Sequence, residues 1–272
     1  MPLAETKNGP LHYEIVDQVA GWNSASSYAE RPTILFHHGI GGCAGMWAGW
    51  LPKLIDGYRT VMWDMRGYGR SATTGFDWSL DLLVSDVFAV ADAAGAARFH
   101  LVGESIGGTV ALAAALAQPG RLATLTVSNG AHLGASIQRV QVWRRQLDEG
   151  GSKGWSDAFM QDRFYDQSLT PERWAWFAAQ QAKWPRESIL NALGVLIGTD
   201  LSDRLAAIKC PTLLLHPDAS PFIPVPIMAE LHRLLPGSQL NVIGHSRHGL
   251  PYSHDGRCAE LLRSFLDSQA AG

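Results

Sequence analysis

The sequence predicts an α/β fold in which a mainly parallel sheet is covered by helices on both faces. Short runs rich in Val, Ile, Leu and aromatic residues recur along the chain beside turn residues, as buried strands do. Longer segments with apolar residues at helical spacing lie between several of these runs. This alternation is typical of parallel strands joined by helical crossovers, which cover the sheet on both sides.

The elements can be placed in order. The strand-like runs are 11–16, 33–38, 59–64, 98–103, 122–128, 211–216 and 239–244, and the helix-like segments between them include 80–95 and 107–120. The second of these helices is closed by a Pro-Gly pair, as helix ends often are. Functional groups of such sheets gather at the carboxyl ends of the strands, so we expect a site there.

One long interval, 131–207, interrupts the alternation. It has no convincing strand-like run and carries five tryptophans among many charges: Trp143, Trp155, Trp174, Trp176 and Trp184. We predict a helical cap at 131–207, inserted into a core formed by 1–130 and 208–272. Trp143, and Trp47 outside the cap, are candidates for substrate contact. Solvation at the surface is the expected fate of most arginines here: Arg139, Arg144, Arg145 and Arg163.

Composition limits the classes of function. With 272 residues, 46% of them hydrophobic, the chain is large enough for one sizeable core. Its net charge of -3, without runs of like charge, gives no sign of a nucleic-acid or membrane partner. Three separated cysteines fit neither a disulfide framework nor a zinc motif. We therefore expect a cytoplasmic protein with reduced thiols and a small-molecule substrate, no cofactor and no metal; no oligomer is evident.

A serine stands at the junction of a predicted strand and a predicted helix. The segment Gly-Glu-Ser-Ile-Gly, 103–107, is a Gly-x-Ser-x-Gly pattern in the context where that pattern marks a nucleophile. A tight turn with small flanks would lift Ser105 above the sheet, beside the positive end of the following helix. Glu104 needs a polar partner if its side chain points inward.

A second glycine-rich segment, 36–42, follows the strand-like run 33–38. Its glycines let the backbone curl over the nucleophile, so that the amides of Ile40 and Ile106 can form an oxyanion hole. His37 and His38 lie in this segment, but two adjacent histidines without a nearby carboxylate make a poor metal site.

A serine hydroxyl also needs a base from another strand end. After the last strand-like run the chain offers three histidines: His245, His248 and His254.

These motifs and their order resemble the α/β-hydrolase superfamily. The segments that carry the resemblance are HHGIGGCAGMW, DMRGYGRS, GESIGG, PTLLLHPDASPFIP and the histidine-rich segment before the terminal LLRSFL. The similarity spans nearly the whole chain, and the terminal spacing is similar to that of β-ketoadipate enol-lactonases and related small esterases. The resemblance implies an α/β-hydrolase fold with a helical cap. It also implies Ser105 as nucleophile, His248 as general base and the two amides as oxyanion hole.

The sequence departs from the family at the acid of the triad. Family members commonly carry this acid just before a proline in the loop after the penultimate strand, where this chain has Ser220. Asp218, two residues earlier, is the favoured substitute, through a rearranged loop. Alternatively a Ser-His dyad operates, with Ser220 or Asn129 only orienting the ring, or the acid comes from elsewhere.

The predicted function is a cofactor-independent serine hydrolase that cleaves a small ester, lactone or amide through an acyl-enzyme. A ring-cleavage product is the sharpest candidate substrate. Alternatives on the same fold are a carbon-carbon bond hydrolase, a lyase, a cofactor-free oxygenase, or a ligand-binding receptor without enzymatic activity.

Overall fold

The computed structural model describes residues 2–19, 31–71 and 74–270. These residues form an eight-stranded sheet in the order β1-β2-β4-β3-β5-β6-β7-β8. The strands are β1 (Leu3–Ala4), β2 (Leu11–Val16), β3 (Thr33–His37), β4 (Arg59–Trp63), β5 (Phe99–Glu104), β6 (Leu122–Ser128), β7 (Thr212–Pro217) and β8 (Gln239–Ile243). Pairing is antiparallel from β1 to β2 and from β2 to β4, and parallel in the rest of the sheet.

Helices cover the sheet. They are α1 (Leu80–Ala93), α2 (Ile106–Ala117), α3 (Val140–Arg163), α4 (Pro171–Gln181), α5 (Arg186–Ile197), α6 (Val225–Leu234), α7 (Leu250–Ser253) and α8 (Asp255–Ala270). The predicted α/β fold class is confirmed, and each of the seven predicted strand segments contains a strand. Strand β1 escaped prediction because two residues carry no periodic pattern. Within the described ranges, no helix is long and apolar enough to cross a membrane.

The central strands and α2 lack a polar face because they are covered on all sides. Every residue of β3 and β4 is buried, as expected for parallel strands between two helical layers. In α2 the side chains from Ile106 to Ala115 are all buried. Many of these side chains are small, so the helix axis can approach the sheet closely.

Three helices, α3 to α5, occupy most of the interval between β6 and β7. Helix α3 is kinked at Gly151, whose φ is +59°. An isolated bridge between Leu133 and Asp200 joins the two ends of this interval. The helical character predicted for 131–207 is thus observed, whereas the division of the chain into a core and a cap stays a prediction. We call 131–207 the insertion below.

Trp47 lies in the hydrophobic core. It belongs to a 3-10 helix, Ala44–Lys53, and its ring centroid is 4.9 Å from that of Phe36 and 5.3 Å from that of Trp50. The indole is fully buried among core side chains. The partners of Trp47 named here belong to the core, and the prediction that it contacts substrate stays a prediction.

Several strands carry histidines that are held neutral, of which His37 and His216 are buried and His100 is half-buried. Burial lowers the pKa of His37 to about 3 and the pKa values of His100 and His216 to about 4 each. As the pH falls below 6.5, the unfolded chain takes up these protons first, so the free energy of unfolding falls with them. The buried carboxyl of Glu104, with a pKa raised to about 7, acts in the opposite direction.

We therefore expect His100→Gln to make the protein less sensitive to acid. Between pH 6.5 and 5.0 the native chain should lose about 1 to 2 kcal/mol more unfolding free energy than the variant, since each histidine contributes about 1.4 kcal/mol per pH unit. Urea unfolding at both pH values measures the difference. Equal losses in the two proteins would show that His100 is not held neutral in the fold.

Candidate active site

Ser105 stands at the junction of β5 and α2 in a strained conformation. Its φ is +56° and its ψ is -120°, outside the regions that side chains other than glycine favour. Close packing around the turn holds this conformation. A Cβ at Gly103 would lie 2.2 Å from the carbonyl oxygen of Gly107, and a Cβ at Gly107 would lie 2.4 Å from that of His37. The predicted tight turn is thus present, with its glycines where space requires them.

His248 lies beside the serine. Its Nε2 is 3.1 Å from Ser105 Oγ, and both side chains are buried, with exposed fractions of 2% and 4%. Burial, the Arg163 charge and His216 lower the pKa of His248, so its imidazole is neutral. The side-chain amide of Asn129 donates to the His248 carbonyl at 2.8 Å and so fixes the loop. The neighbouring candidate, His245, is exposed and stacks on Tyr165.

The other ring nitrogen contacts a hydroxyl. Ser220 Oγ lies 3.2 Å from His248 Nδ1 and accepts the amides of Phe222 at 3.4 Å and Ile223 at 3.2 Å. Because both acceptor positions of the hydroxyl oxygen are used, its own proton is left to point at Nδ1. This count assigns the proton of the neutral imidazole to Nε2. A base that must accept a proton at Nε2 needs the other tautomer.

Asp218 does not reach His248. Its two carboxylate oxygens accept the backbone amides of His245 and Ser246, each at 2.9 Å. The expected contact of Asp218 with the imidazole is therefore replaced by a turn-capping role, because the carboxylate is already engaged by the loop that carries the histidine. The position next to Nδ1 belongs to Ser220, which the sequence had marked as standing at the family's acid position.

Two backbone amides border the serine. Ile106 is the first residue of α2, and Ile40 lies in the glycine-rich loop after β3. Neither amide donates a hydrogen bond to another residue within 2–19, 31–71 and 74–270. The helix N-terminus adds a positive potential at the same point. Both amides are thus without a backbone acceptor in this part of the chain, and their role as an oxyanion hole stays a prediction.

His37 and His38 have structural contacts. His38 Nδ1 is 2.8 Å from the Gly39 carbonyl, and its Nε2 accepts the Met65 amide at 2.9 Å. His37 Nδ1 is 2.9 Å from the His38 carbonyl. These bonds tie the glycine-rich loop to the segment after β4.

Arg163 and Glu104 form a buried pair that sequence reasoning missed. Arg163, the last residue of α3, is only 2% exposed, so the expectation that it is solvated is wrong. Its Nη1 lies 3.6 Å from Glu104 Oε1, and that oxygen is 4.0 Å from His248 Nε2. Phe159, four residues before Arg163, is buried on the same helix face, and this spacing is the sequence signal for an inward-facing arginine.

An aromatic layer closes the site from above. Phe222 packs edge-on against His248 at 5.0 Å, and Phe159 stacks on Phe222 at 4.9 Å. Trp155 stacks on Phe159, and Trp143 meets the same ring edge-on. Both indole N–H groups are buried without a partner among the described residues. The prediction that Trp143 contacts substrate stays a prediction, although the residue does lie in this layer.

Comparison with known proteins extends the geometric findings. Residues 32–155 match the family model described as alpha/beta hydrolase fold. A relative from Klebsiella pneumoniae subsp. pneumoniae, named "Putative carbamate hydrolase RutD", is 31% identical over 227 residues, covering 77% of this chain and 81% of its own. A protein of the same name from Escherichia coli O1:K1 is 28% identical over 232 residues, covering 83% and 87%.

Solved structures agree with this relationship. The enol-lactonase from Burkholderia xenovorans LB400 has a TM-score of 0.87 and 22% identity, covering 98% of this chain and all (100%) of its own. A hydrolase from Pseudomonas aeruginosa PA01 has a TM-score of 0.84, 22% identity and coverage of 98% and 97%. At such identity these structures establish the fold. Together with the relatives and the family model, they show that this chain belongs to the α/β-hydrolase superfamily.

Proposed function

We propose that the protein is a serine hydrolase that cleaves a small ester, lactone or amide through an acyl-enzyme, without a cofactor. The observation that carries the proposal is the strained Ser105, whose Oγ lies 3.1 Å from His248 Nε2 at the N-terminus of α2. A strained, buried hydroxyl within hydrogen-bond reach of a neutral imidazole is the arrangement that nucleophilic catalysis requires.

The steps follow from these positions. Ser105 Oγ attacks the substrate carbonyl carbon while His248 Nε2 takes its proton, and the amides of Ile40 and Ile106 stabilise the oxyanion. Nε2 then gives the proton to the leaving group as its bond to the carbonyl carbon breaks. A water molecule, deprotonated by the same nitrogen, then attacks the acyl carbon, and the bond from that carbon to Oγ breaks as Nε2 returns the proton to Oγ.

The Ser220 hydroxyl, which is the neutral partner of His248 Nδ1, limits the rate of the proposed hydrolysis. Before it can accept a proton, the imidazole must move its own proton from Nε2 to Nδ1, and the Ser220 hydroxyl must release one of its two backbone amides to accept a hydrogen bond from Nδ1. The group that contacts Nδ1 is a hydroxyl, whereas a carboxylate would favour that tautomer. We therefore expect the enzyme to prefer substrates with good leaving groups.

The relatives and the site support a small, mostly apolar substrate. Relatives named for carbamate hydrolysis and a structural neighbour named as an enol-lactonase act, by those names, on small carbonyl compounds. The aromatic layer above His248 offers apolar walls, of which Trp143 is the proposed substrate contact. The free thiols of Cys43, Cys210 and Cys258 support a cytoplasmic location.

Labelling with a fluorophosphonate, read by intact mass, tests the acyl-enzyme. We expect a single adduct on the native chain, none on Ser105→Ala, and slow labelling of His248→Ala. Ser188→Ala is the matched control, because Ser188 is also a buried serine but belongs to α5. It should label like the native chain.

The remaining outcomes separate the alternatives. An unlabelled native chain would contradict the acyl-enzyme. A reaction that survives Ser105→Ala but not His248→Ala would point to a lyase or a cofactor-free oxygenase. Ligand binding by the native chain without turnover or labelling would point to a receptor.

A further inference from the structure

The proposed reaction creates a positive charge on His248, where Ser220, in the loop after β7, offers no negative charge to Nδ1. When His248 takes the serine proton it becomes an imidazolium, and its Nδ1 faces the neutral hydroxyl of Ser220. In a triad, a carboxylate at this position stabilises that ion. A buried carboxylate does lie near the ring, but on the opposite side: Glu104 Oε1 is 4.0 Å from Nε2.

The position of Glu104 follows from the nucleophile turn. It directly precedes Ser105, and its side chain packs against Gly39, where a Cβ would stand 2.1 Å from Glu104 Oε2. The Gly39 amide also donates a hydrogen bond to this carboxylate. The other oxygen, Oε1, is buried and has no hydrogen-bond partner among the described residues.

Arg163 forms an ion pair with this carboxylate through Oε1, without a hydrogen bond. Their closest approach is 3.6 Å, longer than a hydrogen bond. The guanidinium instead donates to the Ile40 carbonyl and to Gln181 Oε1, the latter at 2.7 Å. The Arg163 carbonyl accepts the amide of Gly249, the residue after His248. Arg163 thus contacts the glycine-rich loop after β3 and the loop that carries His248, and it borders Glu104.

We propose that Glu104, held by Arg163, supplies the negative charge that Ser220 cannot supply. It stabilises the His248 imidazolium from the Nε2 side of the ring. The inference rests on the proposed function. In the step concerned, the O–H bond of Ser105 breaks, an N–H bond forms at Nε2, and the Oγ electron pair bonds to the substrate carbon. Glu104 forms no bond. It acts through His248 and is a positioning residue.

The charge state of Glu104 gives this role a pH signature. Burial raises its pKa to about 7, although Arg163 and the Gly39 amide oppose the rise. The rate should therefore rise with pH through about 7, as the carboxyl ionises, while His248 stays neutral. Other titratable groups that act on Arg163 or His248 are Tyr68, His38, Asp162 and His216.

The test is a double-mutant cycle on hydrolysis of a p-nitrophenyl ester. Glu104→Gln alone should lower kcat by about 10- to 100-fold, because an opposite charge at this distance is worth about one to two pKa units. In a chain that also carries Ser220→Asp, the same change should have little effect, since the new carboxylate stabilises the imidazolium. The pH step near 7 should disappear in Glu104→Gln. Glu187→Gln, exposed on α5, is the control and should leave kcat unchanged.

A merely structural ion pair would behave differently. It would make Glu104→Gln equally harmful with Ser220 or with Ser220→Asp, which would overturn the inference. Adding Arg163→Met to Glu104→Gln removes the unpaired cation. Recovery of kcat in that chain would likewise overturn the inference, because Glu104 would then only neutralise Arg163.

If Glu104→Gln does not fold, a native pH profile without a step near 7 decides against the inference. Failure of the native chain to label would instead contradict the proposed function.

Discussion

Ser220→Asp is expected to raise kcat for ester hydrolysis by about 10²-fold. In a serine protease, replacing the triad aspartate by its amide lowers kcat by about 10⁴-fold, mainly through the wrong histidine tautomer. The native chain has the comparable defect, because the Ser220 hydroxyl donates to His248 Nδ1. An aspartate there would accept a hydrogen bond from the Nδ1–H group and leave Nε2 free to act as base. We expect part of the full factor, since the 3.2 Å contact fits a hydroxyl rather than a longer side chain.

The loop is already suited to a carboxylate. The amides of Phe222 and Ile223 both point at Ser220 Oγ, so they can donate to the carboxylate oxygen that does not face the ring. Burying the new charge is then compensated by hydrogen bonds and by the imidazolium it stabilises. The sequence places this residue two positions after Asp218, whose own oxygens are bound to the turn.

Steady-state kinetics with a p-nitrophenyl ester measure the gain. Ser220→Asn is the matched control, because it is nearly the same size as aspartate but neutral, and it should give no increase. Equal rates for the two variants would show that the charge and tautomer at Nδ1 do not limit the reaction.

Gly103→Ala is expected to cost about 3 kcal/mol or more of unfolding free energy, as severe overpacking does. The added Cβ would lie 2.2 Å from the Gly107 carbonyl oxygen and 2.7 Å from the Gly108 amide nitrogen. Both neighbours are backbone atoms of the buried helix α2, so neither can rotate away. The melting temperature should fall by about 6 to 12 °C, as differential scanning calorimetry can measure.

Gly154→Ala is the control for this experiment. Gly154 lies in α3, and a Cβ there would meet no atom within 4 Å. Alanine should therefore stabilise the helix by about 0.5 to 1 kcal/mol. A similar response of the two variants would contradict the steric explanation of the Gly-x-Ser-x-Gly turn.

The sequence predicts those parts of the fold and site that depend on local pattern. The strands, the turn at Ser105 and the glycine-rich loop each follow from a short run of residues. Contacts between residues that are far apart in the sequence do not follow from such runs. Arg163 and Glu104 are 59 positions apart, and their pairing depends on where the C-terminal end of α3 lies relative to the end of β5. Asp218 was favoured as the acid because of its proximity in sequence, whereas backbone amides of the same turn engage both of its oxygens.

The contacts of Arg163 bear on whether the insertion is an exchangeable module. A covering element that only excluded water could be replaced by the corresponding element of a relative. Here its longest helix donates a hydrogen bond to the Ile40 carbonyl in the glycine-rich loop after β3 and accepts one from Gly249, the residue after His248. A chimera that receives a foreign insertion without an arginine at this position would therefore inherit new wall residues with a loosened glycine-rich loop after β3. Redesign of substrate preference in this protein has to change the wall residues while retaining α3.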